Sequence, residues 1–79
     1  MNVDIAFGKV LRRLRKEAGL TQEELGFEAD LRRTYVSILE LGQQQPSLTT
    51  ILKLSKALKY PAHKLVSQVE DEIKKTSKK

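Results

Sequence analysis

Between Gln22 and Gly42 the chain sets a carboxamide, two adjacent guanidinium groups and three hydroxyls: Gln22, Arg32, Arg33, Thr34, Tyr35 and Ser37. These side chains can donate hydrogen bonds to anions and to polar edges, but none is paired with a base that would make it a nucleophile. The chain has one histidine, His63, and no cysteine, so neither a Cys–His nor a Ser–His–Asp set can be assembled. A metal-ligand cluster and a glycine-rich phosphate loop are also lacking. The sequence therefore predicts a binding protein and not an enzyme, with no cofactor and no metal. A formal net charge of +5 favours a polyanionic partner without naming it.

Helical segments must position these groups. Seventy-nine residues allow one domain with a small core. Without disulfides or zinc, helices packed around that core and reinforced by dimerisation are the remaining route to stability. A first helix is expected from about Val3 to Ala18. Phe7, Val10, Leu11, Leu14 and Ala18 recur there at helical spacing, opposite Lys9, Arg12, Arg13 and Lys16. Gly19 stands where a left-handed C-cap belongs. Thr21-Gln22-Glu23-Glu24 fits a capping box that opens a second, short helix. It ends near Ala29 and Asp30, and Asp30 tolerates a left-handed turn. A third helix runs from Arg33 to Leu41 and stops before Gly42.

After the polar connector from Gln43 to Pro46, Ser47 caps a fourth helix with Leu48, Ile51, Leu54, Ala57 and Leu58 on one face. Pro61 suits the first turn of a fifth helix that carries Leu65, Val66, Val69 and Ile73. The domain is expected to span residues 1–73, and residues 74–79, with nothing to bury, to form a basic flexible tail. The amino terminus lacks the pattern of a signal peptide, and no apolar run approaches the ~18 residues that span a membrane. A cytoplasmic protein with no membrane partner is expected.

Leu25 and Ala29 in the second helix, and Val36 and Leu39 in the third, are spaced to lock the two helices at a steep angle across the turn containing Leu31. The outer face of the third helix stays free, and such a helix has about the width of the DNA major groove. Leu20-Thr21-Gln22-Glu23-Glu24-Leu25, Arg33-Thr34-Tyr35-Val36-Ser37, Glu40, Gly42 and Pro46-Ser47-Leu48 resemble the Xre family of lambda-repressor-like regulators. The resemblance runs from about Phe7 to Leu65. Arg-Thr-Tyr-Val-Ser followed by Glu is similar to the recognition helix of restriction–modification controller proteins. The resemblance implies an all-α, five-helix lambda-repressor-like DNA-binding domain with a central helix-turn-helix. It further implies a dimeric transcription regulator that binds a near-palindromic operator and controls its own promoter.

Roles follow from the resemblance, position by position. Gln22 matches a residue that clamps a phosphate at a helix amino end. Arg33 heads the recognition helix and suits guanine O6 and N7, while Thr34 and Ser37 share its exposed face. Tyr35 offers a hydroxyl to a phosphate and a ring to a thymine methyl, and Arg32 suits the DNA backbone. Glu40 matches a glutamate that pairs with an arginine late in the first helix, the position of Arg15, so Arg15–Glu40 is expected as a structural ion pair. Each contact has a plainer alternative: a helix-start residue for Gln22, solvated charge for Arg32 and Arg33, partial core for Tyr35, and a bare surface position for Ser37.

Gly26 replaces the family's usual alanine, at up to ~1 kcal/mol in helix propensity. Asp30 stands where glycine is common. Ile38 and Leu41 are apolar where polar residues are frequent: Ile38 suits a thymine methyl and Leu41 a subunit interface. In the fifth helix, Leu65 and Val66 cover the core while Val69 and Ile73 extend the stripe beyond it. Leu41, Leu65, Val66, Val69 and Ile73 are thus the expected homodimer contact. Glu23, Glu24 and Glu28 favour a helix amino end electrostatically, and Glu23 and Glu28 also suit a basic patch on RNA polymerase. A second function class stays open: an antitoxin or other partner-gripping module on the same fold. No small-molecule effector is expected.

Overall fold

Local capping chemistry sets the helix boundaries in the computed structural model, which describes residues 2–77. The helices are α1 (Val3–Glu17), α2 (Gln22–Ala29), α3 (Arg33–Glu40), α4 (Leu48–Leu58) and α5 (Ala62–Ser77), and the described residues form no strand. Asn2 Oδ1 accepts a bond from the Ile5 N–H at 2.8 Å and starts α1, a cap the sequence reading passed over. At the other end Gly19, with φ 74°, lets its N–H reach the Lys16 carbonyl, and the Leu20 N–H reach that of Arg15. Thr21 and Glu24 form the reciprocal capping box, at 3.0 and 2.9 Å. Asp30 takes the left-handed conformation between α2 and α3, with φ 58°. Lys59 does the same after α4, and Pro61 stands just before α5 rather than in its first turn.

Every helix contributes to one core. Val10 and Leu11 of α1, Leu25 of α2, Val36 and Leu39 of α3, Leu54 of α4 and Leu65 of α5 are fully enclosed. Helix α1 packs on α3 and α5, α2 on α3 and α4, and α4 on α5. The crossing of α1 and α3 is close enough that a Cβ at Gly8 would lie 2.6 Å from the carbonyl oxygens of both Leu39 and Glu40. Only glycine fits there. Gly26 has a similar reason: a Cβ would sit 2.7 Å from the Leu31 carbonyl oxygen. Its lower helix propensity is therefore offset by letting the α2–α3 turn fold back over it.

Three expectations change. Helix α5 continues through Lys74 and Lys75 to Ser77, so this part of the basic segment is helical; residues 78–79 lie outside the described residues. The later turns are held against α1, where Glu72 is buried and pairs with Arg13 at 3.4 Å. Arg13 also donates to Gln68 Oε1 at 2.6 Å, and Gln68 donates in turn to the Tyr60 hydroxyl. Second, Leu65 and Val69 are core residues, and Ile73 packs against that core. Leu65 and Val69 therefore offer little surface to a dimer stripe, because the core already holds them. Third, Leu48 is 71% exposed at the first position of α4, ahead of that helix's buried face, and Ala18 is exposed too.

Candidate nucleic-acid interface

Helix α3 buries Val36 and Leu39 and turns Thr34, Ser37, Ile38 and Leu41 the other way. That spacing of three, four and seven residues is one helical face. Thr34 and Leu41 are exposed, while Ser37 and Ile38 are half-buried. Tyr35 is half-buried and packs against the core, so its ring is divided between packing and surface. Arg32 and Arg33 are exposed at the head of this face, and among the described residues neither makes an ion pair. Their ten guanidinium N–H donors, five each, are available to a partner.

The amino end of α2 lies next to that head. Arg15, Thr21, Gln22, Glu23 and Arg33 line one shallow, open depression. The capping box occupies the N–H groups of Thr21 and Glu24, which leaves those of Gln22 and Glu23 without an intrahelical acceptor. A phosphate in the depression would meet the positive end of α2 and the Arg33 guanidinium together. Arg32 stands apart, in a second depression with Phe27, Asp30 and Leu31.

Behind the depression is a buried polar cluster. Arg15 Nε donates to Glu40 Oε2 at 2.6 Å and Arg15 Nη2 to Oε1 at 3.1 Å, with the two side chains 11% and 5% exposed. The bond to the Glu40 carboxylate raises the Arg15 pKa further above its ordinary value, against the opposing effect of burial, so the guanidinium stays charged. Arg15 Nη1 also donates to the Leu20 carbonyl at 2.8 Å, which pins the loop that leads into α2. Gln22 Nε2 donates to Glu40 Oε1 at 3.0 Å, a bond that sequence spacing gave no means of finding.

The acidic residues divide by use. Glu24 is engaged in the capping box, whereas Glu23 and Glu28 are exposed on either side of Phe27. Phe27 itself is 83% exposed. Sequence reading assigned it nothing, although its offset of two residues from both Leu25 and Ala29 puts it on the opposite face of α2. Between α1, α4 and α5, the apolar side chains of Val3, Phe7, Pro46, Ile51, Val66 and Val69 line a shallow groove. Among the described residues no group of His, Asp and Glu side chains could hold a metal, and no helix is long and apolar enough to cross a membrane.

Comparison with known proteins gives a consistent set of relatives. The model of the helix-turn-helix family HTH_3 matches residues 11–65. The chain is 45% identical over 58 residues to control protein C.BamHI of Bacillus amyloliquefaciens, covering 72% of each protein. It is 39% identical over 72 residues to control protein C.MunI of a Mycoplasma species, covering 90% of this chain and 97% of that one. The crystal structure of the restriction-modification controller protein C.AhdI from Aeromonas hydrophila superposes with a TM-score of 0.75 at 46% identity, covering 77% of this chain and 92% of that one.

Proposed function

The chain belongs to the helix-turn-helix family HTH_3, and from that premise we propose that it is a sequence-specific transcription regulator binding double-stranded DNA as a homodimer. The observation that carries the reading is the free face of α3, headed by two unpaired arginines, beside the open amino end of α2. With α3 in the major groove, Arg33 reads a guanine, Thr34 and Ser37 contact base edges or phosphate, and Ile38 meets a thymine methyl. Gln22 and the first turn of α2 hold a phosphate, while Arg32 and the Tyr35 hydroxyl contact the backbone. Similarity to control proteins favours a regulator acting on its own promoter over the antitoxin alternative. Catalysis, a bound effector and a membrane have no part in this reading, and it implies the cytoplasm.

A mobility-shift titration on the DNA upstream of its own gene tests the proposal. Binding in two steps that resists scrambled competitor is expected. Weak binding that falls steeply with salt and ignores sequence would reduce the interaction to charge alone.

In this reading the dimer contact keeps Leu41 and Val66, 64% and 43% exposed, and adds Leu48 and Leu52, 71% and 51% exposed. Leu48 and Leu52 are one turn apart on α4, beside Ile51 of the apolar groove. Leu52→Glu buries an unpaired carboxylate at the contact, at ~3 kcal/mol, so the dimer dissociation constant should rise about 100-fold. Sedimentation equilibrium measures it. A native protein that is monomeric at micromolar concentration, or a Leu52→Glu dimer of native affinity, contradicts the assignment.

Glu23 and Glu28 form the proposed contact for a basic patch on RNA polymerase, with exposed Phe27 between them. The pair Glu23→Ala and Glu28→Ala should bind the operator at least as tightly, since Glu23 lines the depression beside Arg33, and should abolish most activation in reconstituted transcription. Full activation by the double variant would remove this contact.

A further inference from the structure

We propose that Glu40 is a positioning residue for DNA binding: its buried carboxylate holds the Gln22 carboxamide in the orientation that meets the DNA backbone. The inference rests on the DNA-binding reading above and assigns Glu40 a role beyond the ion pair.

Two donors from Arg15 already form a bidentate pair with Glu40, at 2.6 and 3.1 Å. Gln22 adds a third at 3.0 Å on Oε1, where a carboxylate oxygen still has a free lone pair. Only the amide nitrogen can face a carboxylate, because the amide oxygen would bring two acceptors together. The bond therefore fixes which end of the carboxamide is inward. One N–H is committed to Glu40, and the second N–H stays available for an anion.

A free glutamine at a helix start samples many rotamers, and ordering it on binding opposes affinity. Glu40 removes that freedom before DNA arrives. It does so without presenting net negative charge to a phosphate, since Arg15 neutralises it and the Glu40 side chain is 5% exposed. The same carboxylate ties the end of α3 to α1. Arg15 in turn holds Leu20 twice, through its side chain at 2.8 Å and through its own carbonyl at 3.1 Å. The spacing between the Gln22 clamp on α2 and the Arg33 reader on α3 is thereby set by one buried cluster.

The test is a double-mutant cycle with Gln22→Ala, Glu40→Gln and the combined variant. It uses a duplex that the native protein has enriched from a random-sequence pool. Affinities are compared at a temperature where circular dichroism shows each variant folded, which separates binding from stability. Gln22→Ala should weaken binding about tenfold, as for a lost hydrogen bond to a charged group. Glu40→Gln should weaken it several-fold in the native background and less than about twofold once Gln22 is absent. An equal cost in both backgrounds overturns the inference and leaves the DNA-binding reading standing. A native protein that enriches no duplex overturns both.

The native protein supplies a second readout that does not depend on Glu40→Gln folding. One Gln22 side-chain amide proton should be protected from solvent exchange in nitrogen-15 spectra and remain protected when the duplex is added. Free exchange, or loss of protection on DNA binding, overturns the inference.

Discussion

Glu40→Ala is expected to lower the unfolding free energy by ~3–5 kcal/mol, the scale for removing one member of a buried charge pair. Arg15, 11% exposed, would keep only its bond to the Leu20 carbonyl, and the positive charge would have no counterion. In a domain of this size that corresponds to a fall in Tm of about 12–40 °C. Total stability for such chains is ~5–15 kcal/mol, so the loss takes most of the margin of a domain at the lower end of that range. Thermal melting followed by circular dichroism measures the effect, and an unchanged Tm would contradict it. The combined variant Arg15→Met, Glu40→Leu should recover much of the stability, because apolar residues can replace a buried pair at little cost. It should not recover DNA affinity, since Gln22 would still lack its anchor.

Arg33→Ala is expected to do the reverse. Arg33 is exposed and makes no ion pair among the described residues, so the folded chain loses little and Tm should stay within a few degrees. Affinity for a cognate duplex should fall about 5- to 150-fold for each contact, the ~1–3 kcal/mol of a bidentate arginine–guanine pair. The loss should be confined to one base position in each half-site. Arg32→Ala, by contrast, should weaken all duplexes evenly and flatten the salt dependence. Fluorescence anisotropy on the cognate duplex and on single-base variants measures both. If Arg33→Ala bound with native affinity and native base preference, α3 would not be the reader.

The parts of this molecule that are local in sequence were legible in it. The Thr21–Glu24 capping box joins groups three residues apart, and the left-handed turn at Asp30 depends on one residue's own conformational tolerance. The five helices follow from their apolar spacing in the same way. What was not legible depends on distant partners. Nothing near Gly8 reveals that the carbonyls of Leu39 and Glu40 will lie where its side chain would be. The stripe Leu65, Val69 and Ile73 reads equally as core or as interface until Leu65 and Val69 are seen inside the core, with Ile73 packed against it. Lys74 to Ser77 looks like a solvated tail because the part-buried Arg13–Glu72 pair that anchors the preceding turn spans 59 residues. Leu48 fits the apolar period of α4 but precedes the part of the helix that the core reaches.

At the interface the same division holds. Arg15 and Glu40 were expected as a pair from family resemblance, and they meet at 2.6 Å. That Gln22 completes the cluster required three helices to be in place, because it comes from the start of α2 while its partners come from the ends of α1 and α3. A residue read as a phosphate clamp and a pair read as structural are thus one unit in space.

The proposed dimer, with α3 in the major groove, stands or falls on sequence selectivity. Enrichment of duplexes from a random-sequence pool by the native protein, followed by sequencing, tests it most directly. A near-palindromic consensus is expected, with half-sites about 10 bp apart or a multiple of that, and a changed preference at one position per half-site with Arg33→Ala. A pool that stays random while binding scales only with ionic strength would contradict it.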